Sequence, residues 1–218
     1  MKVLAVNGSP RKKWNTATLL EKALEGAASE GAETELIHLY DLDYKGCRSC
    51  FVCKQKDGKS YGACAVKDGL APVLDAIRDV DALILGSPIY FGRVTGEMRS
   101  FLERLMFPYL EYGDPWRTLF SRTMATGFIY TMNITEEEMT EMRLRYALES
   151  TEMTLAMIFG ASEAQYCYDT LQFEDHDKVV CDRVDVDAKM RRRRDVFPVD
   201  CEKAFALGCR MTRDVTRG

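Results

Sequence analysis

Nowhere does the 218-residue chain approach the ~18 consecutive apolar residues that a membrane-spanning helix needs. Behind Met1-Lys2 stands only the short apolar run Val3 to Val6, too brief for the apolar region of a secretory leader. These two absences predict a soluble, intracellular, cytoplasmic protein. Excess positive charge is missing as well. The formal net charge is −4, so neither nucleic acid nor an anionic membrane is expected as a partner. Histidine is scarce: His38 lies in a strand-like run, His176 in a charged stretch, and neither has a second ligand nearby in sequence. No internal repeat and no low-complexity linker divides the chain, which predicts a single domain over residues 1–218. Eight cysteines in an intracellular chain are not a disulfide framework, which leaves metal binding, redox chemistry or plain burial.

What the chain has is apolar patterning, with 46% hydrophobic residues. Val3–Val6, Glu33–Leu39, Ala82–Leu85, Thr123–Asn133 and Glu163–Tyr168 read as strands. Helical spacing begins near Asn15 and recurs over Leu70–Ile77 and Val94–Phe107. A single long helix follows from Ile134 through Ile158, capped by Thr135 and stopped by Gly160. A last helix runs over Asp200–Arg213. Five alternations of strand and helix predict an α/β fold, a doubly wound five-stranded parallel sheet with helices on both faces. Two segments stand outside that rhythm: a Cys-rich insertion at 41–68 and a charged C-terminal extension at 171–218, irregular up to Pro198.

Ligands in such sheets bind where strands end. Three loops leave strand ends: Gly8 to Thr18, Gly86 to Gly92, and Thr131 to Thr135. The first is neither G-x-G-x-x-G nor G-x-x-x-x-G-K-[ST], which excludes the dinucleotide and nucleoside-triphosphate loops. A strand, a loop of small and hydroxyl residues and a helix N-terminus still converge there. Ser9, Asn15, Thr16 and Thr18 supply donors and Arg11 a charged fork, which suits a monophosphate. An ordinary polar turn with a capped helix is the alternative.

Asn7-Gly8-Ser9-Pro10-Arg11 through Asn15-Thr16 resembles the phosphate loop of the flavodoxin-like flavin reductases. Gly86-Ser87-Pro88-Ile89-Tyr90-Phe91-Gly92, with Gly96 to Arg104 after it, resembles that family's isoalloxazine loop and following helix. The resemblance covers roughly Lys2 to Tyr168 and implies FMN as cofactor. It implies cofactor contacts from Ser9, Arg11, Asn15, Thr16, Ala17 and Thr18 on the first loop. Pro88, Ile89, Tyr90, Phe91 and Gly92 would run along the ring, and Asn133 matches the third loop by position alone.

Cys47-Arg-Ser-Cys50-Phe-Val-Cys53 places three thiols within seven residues, and Cys64 follows after ten intervening residues. Zinc sites draw on two separated pairs, whereas this spacing suits one face of a cubane. The pattern resembles the iron–sulfur flavoproteins, a branch of the same family. That implies a [4Fe-4S] cluster on Cys47, Cys50, Cys53 and Cys64, although the gap before Cys64 is longer than in the branch's compact motif. Zinc, free thiols or a redox pair stay open. Arg191 to Arg194 reads as a solvated face or, alternatively, as a hold for an anion or an oligomer contact.

The expected activity is that of an FMN-dependent oxidoreductase. Electrons would come from NAD(P)H or a ferredoxin-type donor and pass to a quinone, flavin or other small acceptor. A non-enzymatic relay between protein partners is the alternative. The flavin carries the chemistry, so no catalytic acid or base is assigned. The resemblance also implies a homodimer or homotetramer, with Met106 to Leu110 and the cysteine loop as candidate contacts.

Overall fold

The computed structural model describes residues 1–182 and 184–215. Arg183 and residues 216–218, part of the C-terminal extension in the sequence reading, lie outside the described residues.

Five long strands build the parallel sheet: β1 (Lys2–Asn7), β2 (Glu33–His38), β3 (Ala82–Tyr90), β7 (Met124–Thr131) and β8 (Gly160–Cys167). A short β4 (Arg93–Val94) folds back antiparallel on β3, and β5 (Leu110–Glu111) and β6 (Arg117–Thr118) form a separate small hairpin. The long strands lie in the order β2-β1-β3-β7-β8, all parallel, so the order reverses beside β1, between β1 and β3. That is the flavodoxin-like, doubly wound arrangement, and its switch point sits where β1 and β3 end.

Alternate residues of each strand feed opposite layers, as a pleated sheet requires. Val3, Ala5, Ile84 and Ile129 pack with Leu20, Ala23, Ala204 and Leu207 of α1 (Asn15–Ser29) and α7 (Phe197–Val215). Leu4, Val6, Leu85 and Phe128 pack on the other face with Ile77 of α2 (Ala71–Ile77), Phe101 of α3 (Gly96–Met106) and Leu155 of α5 (Arg145–Phe159). On the first face the backbones of α1 and α7 nearly touch: a Cβ on Gly208 would fall onto the Ala23 carbonyl, and one on Gly26 onto the Phe205 carbonyl.

Four departures from the sequence reading have local causes. The long helix expected from Ile134 to Ile158 is two helices, α4 (Glu136–Glu141) and α5, broken at Arg143 with φ +54°. Neither Gly nor Pro marks the break; Leu144 swings onto Gly92, where a Cβ would stand 2.8 Å from its Cδ2. The strand expected to end at Leu85 continues to Tyr90, because its far half pairs with β4 and with β7 as far as Thr131. The strand expected from Glu163 starts at Gly160, whose φ of +107° turns α5 directly into β8. The stretch expected to be irregular contains α6 (Val186–Asp195). It has no apolar stripe and rests on the Asp185 cap, which accepts from the Ala188 N–H at 2.8 Å, and on its long cations.

The insertion at 41–68 contains only short 3₁₀ turns at Leu39–Asp41 and Val52–Lys54. Arg104 on α3 pins it. The guanidinium is 2% exposed and donates to Asp68 at 2.5 and 3.0 Å, to the Lys45 carbonyl at 3.1 Å and to the Val66 carbonyl at 3.3 Å. The Met106–Leu110 patch is largely inward: Tyr109 is buried edge-on against Phe120 and Phe159, and Phe107 meets Phe51 of the insertion.

Candidate functional site

The first loop leaves β1 and enters α1 under tight constraint. The Gly8 N–H bonds the Gly86 carbonyl at 2.8 Å, and a Cβ on Gly8 would stand 2.8 Å from Met98 Cβ, so only glycine fits between β1 and α3. Asn7 Oδ1 accepts the Ser9 N–H at 2.9 Å, and Ser9 Oγ accepts the Arg11 N–H at 3.1 Å, which curls the loop toward the helix. The start of α1 has no capping side chain, because Trp14 fills the cap position, and no acidic residue in its first turn. Asn15 and Thr16 there are nonetheless buried. A buried helix N-terminus without its own acceptor is suited to a bound anion, whose oxygens would take the free N–H groups.

Beside it lies a cavity of about 290 Å³, lined by Ser9, Arg11, Asn15 and Thr16, by Pro88, Ile89 and Tyr90, and by Thr131, Met132 and Asn133. Of the expected residues, those eight from Ser9 through Tyr90 and Asn133 share this one cavity. Ala17, Thr18, Phe91 and Gly92 do not line it. Ala17 is buried under the sheet, while Phe91 and Gly92 form the left-handed turn of the β3–β4 hairpin, φ +51° and +76°, with the Phe91 ring wholly exposed. Phe91 thus stands at the tip of a turn, open to solvent.

Sequence reasoning gave no role here to Trp14, Thr170, Leu171, Gln172 and Phe173, which also line this cavity. Arg11 lies over the Trp14 ring at 3.9 Å and donates to the Gln172 carbonyl at 2.6 Å. Trp14 Nε1 and Asn15 Nδ2 both donate to the Leu171 carbonyl, at 3.0 and 2.8 Å. From α6, Arg193 donates to Asn15 Oδ1 at 2.8 Å, and Lys189 donates to the Asn133 carbonyl at 2.7 Å and pairs with Asp169. The basic run is thus split: Arg193 reaches the phosphate loop and Arg192 pairs with Asp200 at 2.5 Å, while Arg191 and Arg194 stay at the surface. Thr16 and Thr131 hydroxyls bond each other at 2.8 Å and tie the loop to the end of β7. The donor set, the uncapped helix end and the adjoining cavity fit a flavin mononucleotide.

Cys47, Cys50, Cys53 and Cys64 line a second, small cavity of about 20 Å³ with Phe51, Phe107 and Pro108. Ser49 and Phe51, left-handed at φ +52° and +56°, curl the loop so that the thiols share one side. The Val52 N–H, helped by Arg48, holds the Cys50 thiol below its ordinary range, and burial pushes that of Cys53 up. Among the described residues no three metal-ligating side chains stand together in ligating geometry. Four soft sulfur donors in apolar walls match a thiolate-held cluster by chemistry. The space they enclose is that of about one water, so the loop must part to take one.

A flavodoxin-like sheet with a monophosphate cradle at its switch point defines a mononucleotide-binding α/β protein of the flavoprotein class. The chain belongs to the NADPH-dependent FMN reductase family, whose sequence profile matches residues 1–146. It is 38% identical over 104 residues to an iron–sulfur flavoprotein of Methanocaldococcus jannaschii, covering 48% of this chain and 51% of that protein. To an iron–sulfur flavoprotein of Archaeoglobus fulgidus it is 41% identical over 104 residues, 48% of each chain. The chain spans about half the length of the curated relatives it matches. In fold it is similar to an NAD(P)H:quinone oxidoreductase from Methanothermobacter marburgensis, with TM-score 0.70 and 14% identity over 96% of this chain and 98% of that one. It is also similar to an FMN-dependent NADH-azoreductase from Bacillus anthracis in complex with FMN, with TM-score 0.68 and 10% identity over 97% of this chain and all (100%) of the other.

Proposed function

We propose that the protein is an FMN-dependent oxidoreductase that passes electrons from NAD(P)H or a ferredoxin-type donor to a quinone, a flavin or another small acceptor. The observation that carries this reading is the cavity between the uncapped start of α1 and the Pro88–Tyr90 segment of β3. Bound FMN would supply the exchange between two-electron and one-electron transfer. The chain's part is to hold and orient it. Ser9, Arg11, Asn15 and Thr16 would take the phosphate, with Arg11 kept flat by Trp14 and the Asn15 amide turned by Arg193. Pro88, Ile89 and Tyr90 offer a stiff strand backbone as one wall for the ring, and Thr131 to Asn133 another. Cys47, Cys50, Cys53 and Cys64 are the residues that would hold a [4Fe-4S] cluster, a reading supported by the names of the relatives and by the shared cavity.

Anaerobic purification with absorption spectroscopy and flavin, iron and sulfide analysis tests both cofactors. One FMN and about four irons per chain are expected; a colourless protein that takes up no FMN overturns the flavin reading, and FMN without iron overturns the cluster. Prompt anaerobic reduction by NADPH is expected of the enzyme. Reduction by reduced ferredoxin alone would instead make the chain a relay between proteins.

A further inference from the structure

The loop that carries the phosphate donors is held from behind, by side chains outside the cavity lining. Gly8 is fixed on both sides of its peptide: its N–H bonds the Gly86 carbonyl at 2.8 Å, and its carbonyl accepts from the Thr95 hydroxyl at 2.7 Å. The turn that follows is shaped by Asn7, which is fully buried at the end of β1. Asn7 Oδ1 accepts the Ser9 N–H at 2.9 Å, and Ser9 Oγ in turn accepts the Arg11 N–H at 3.1 Å. On its other side, Asn7 Nδ2 lies 2.9 Å from Nδ1 of His38, which stands opposite Asn7 in the β1–β2 register. Ser9 and Arg11 line the cofactor cavity, whereas Asn7 and His38 do not.

Those bonds decide where the His38 ring carries its proton. A backbone N–H only donates, so the Asn7 atom facing Ser9 is the oxygen and the atom facing His38 is the NH₂ group, a donor. Nδ1 of His38 must therefore be bare, in a neutral ring whose proton sits on Nε2. A proton on Nδ1 would set Asn7 between two donors, and its one oxygen cannot face both sides. Either the Ser9 bond or the His38 bond is then lost, and a polar group is left unpaired where Asn7 is fully buried. The charge gained would by itself favour an anion. It sits on a half-buried ring outside the cavity lining, where solvent and salt screen it, so the lost bond weighs more. The charged side chains at this end of β2, Lys12 of the loop and Asp41 of the turn after the strand, pair with each other, and every residue that α1 buries is uncharged.

We propose that His38 is a positioning residue for the cofactor: its bare Nδ1 fixes the Asn7 amide, which curls Ser9 and Arg11 toward the phosphate, and the hold is released when the imidazole takes a second proton. The inference rests on the flavin reading for the ligand, while the state of the His38 ring stands on its own contacts.

Anaerobic FMN titrations of the full chain, followed by flavin fluorescence from about pH 7.5 to about pH 5.5, test it on wild type, H38L and H38N. Asparagine puts an acceptor oxygen two bonds from Cβ, where Nδ1 stands, and does not titrate. At the upper pH, H38L should bind FMN about tenfold more weakly than wild type and H38N within about threefold of it. Toward the lower pH, wild type should lose about tenfold in affinity relative to H38N. The FMN phosphate itself takes a proton near pH ~6 in every form alike, so the ratio of wild type to H38N is the quantity read. Circular dichroism checks the fold, and should H38L not fold, that ratio decides. An H38L variant that binds as tightly as wild type, a ratio constant over pH, or an imidazole nitrogen NMR spectrum with the neutral ring's proton on Nδ1 overturns the proposal. Wild type that takes no FMN at any pH rejects the flavin reading and the cofactor role with it, whereas intact FMN binding with a flat ratio rejects the role of His38 alone.

Discussion

At the scale of single residues, the most constrained side chain is Arg104. Burial alone would raise the Asp68 carboxyl, but the Arg104 bonds and charge, with the N–H groups of Leu70 and Ala71, outweigh it and leave the group below the usual carboxylate range. A carboxylate held low in the fold gives stability that is complete above its unfolded value, near ~4, and is lost as pH falls through the lower folded value. Urea unfolding of wild type and D68N across pH 2–7 should therefore show a stability gap at neutral pH that closes in acid. R104M should lose about 3 kcal/mol at pH 7, because it strips three anchors from the cysteine loop and leaves Asp68 without its partner. The phosphate-loop residues were legible in sequence because small, hydroxyl and amide residues between a strand and a helix have few other uses there. Leu171 and Gln172 were not, since they act through carbonyls that every residue owns. Arg193 was hidden inside a run of four arginines, and only the path of α6 tells which one turns inward.

Among elements, the decisive contact is α1 against α7. Gly208 and Gly26 let the two backbones close to a distance that a methyl group would block, and that closeness sets the position of the α1 start at the site. Gly208→Ala should lower stability by about 3 kcal/mol or more, read by thermal unfolding. Gly96→Ala is the counterpart: nothing lies within 4 Å of a Cβ there, so helix propensity predicts a neutral or slightly stabilising change. The sequence showed the five main strands and most helices because their apolar periods are strong. It missed the break at Arg143 and the helix α6 for opposite reasons. The break comes from a distant partner, Leu144 against Gly92, with no local breaker residue. Helix α6 has no apolar period at all and depends on a cap and on ion pairs. The far half of β3 was read as a loop because Gly86, Pro88 and Gly92 are turn residues by composition, whereas pairing with β4 and β7 decides the matter.

For the whole molecule, ligand linkage gives the broadest test. FMN at ~100 times its dissociation constant should stabilise the fold by about 2.7 kcal/mol, which for a chain of this size is roughly 5–10 °C in Tm. R193A, which frees the Asn15 amide, should weaken FMN binding about tenfold and shrink that shift while leaving the Tm without FMN nearly unchanged. The carbonyls of Leu171 and Gln172 already engage Arg11, Trp14 and Asn15. A phosphate arriving at those side chains displaces the two carbonyls from them, while the free N–H groups at the start of α1 give it new bonds. Part of the bonding enthalpy then cancels, and much of the net attraction comes from the ligand's negative charge against the guanidinium and the helix end. Affinity for the cofactor should accordingly fall steeply as added salt screens that charge, while uncharged riboflavin, lacking the exchange, should bind weakly at every ionic strength.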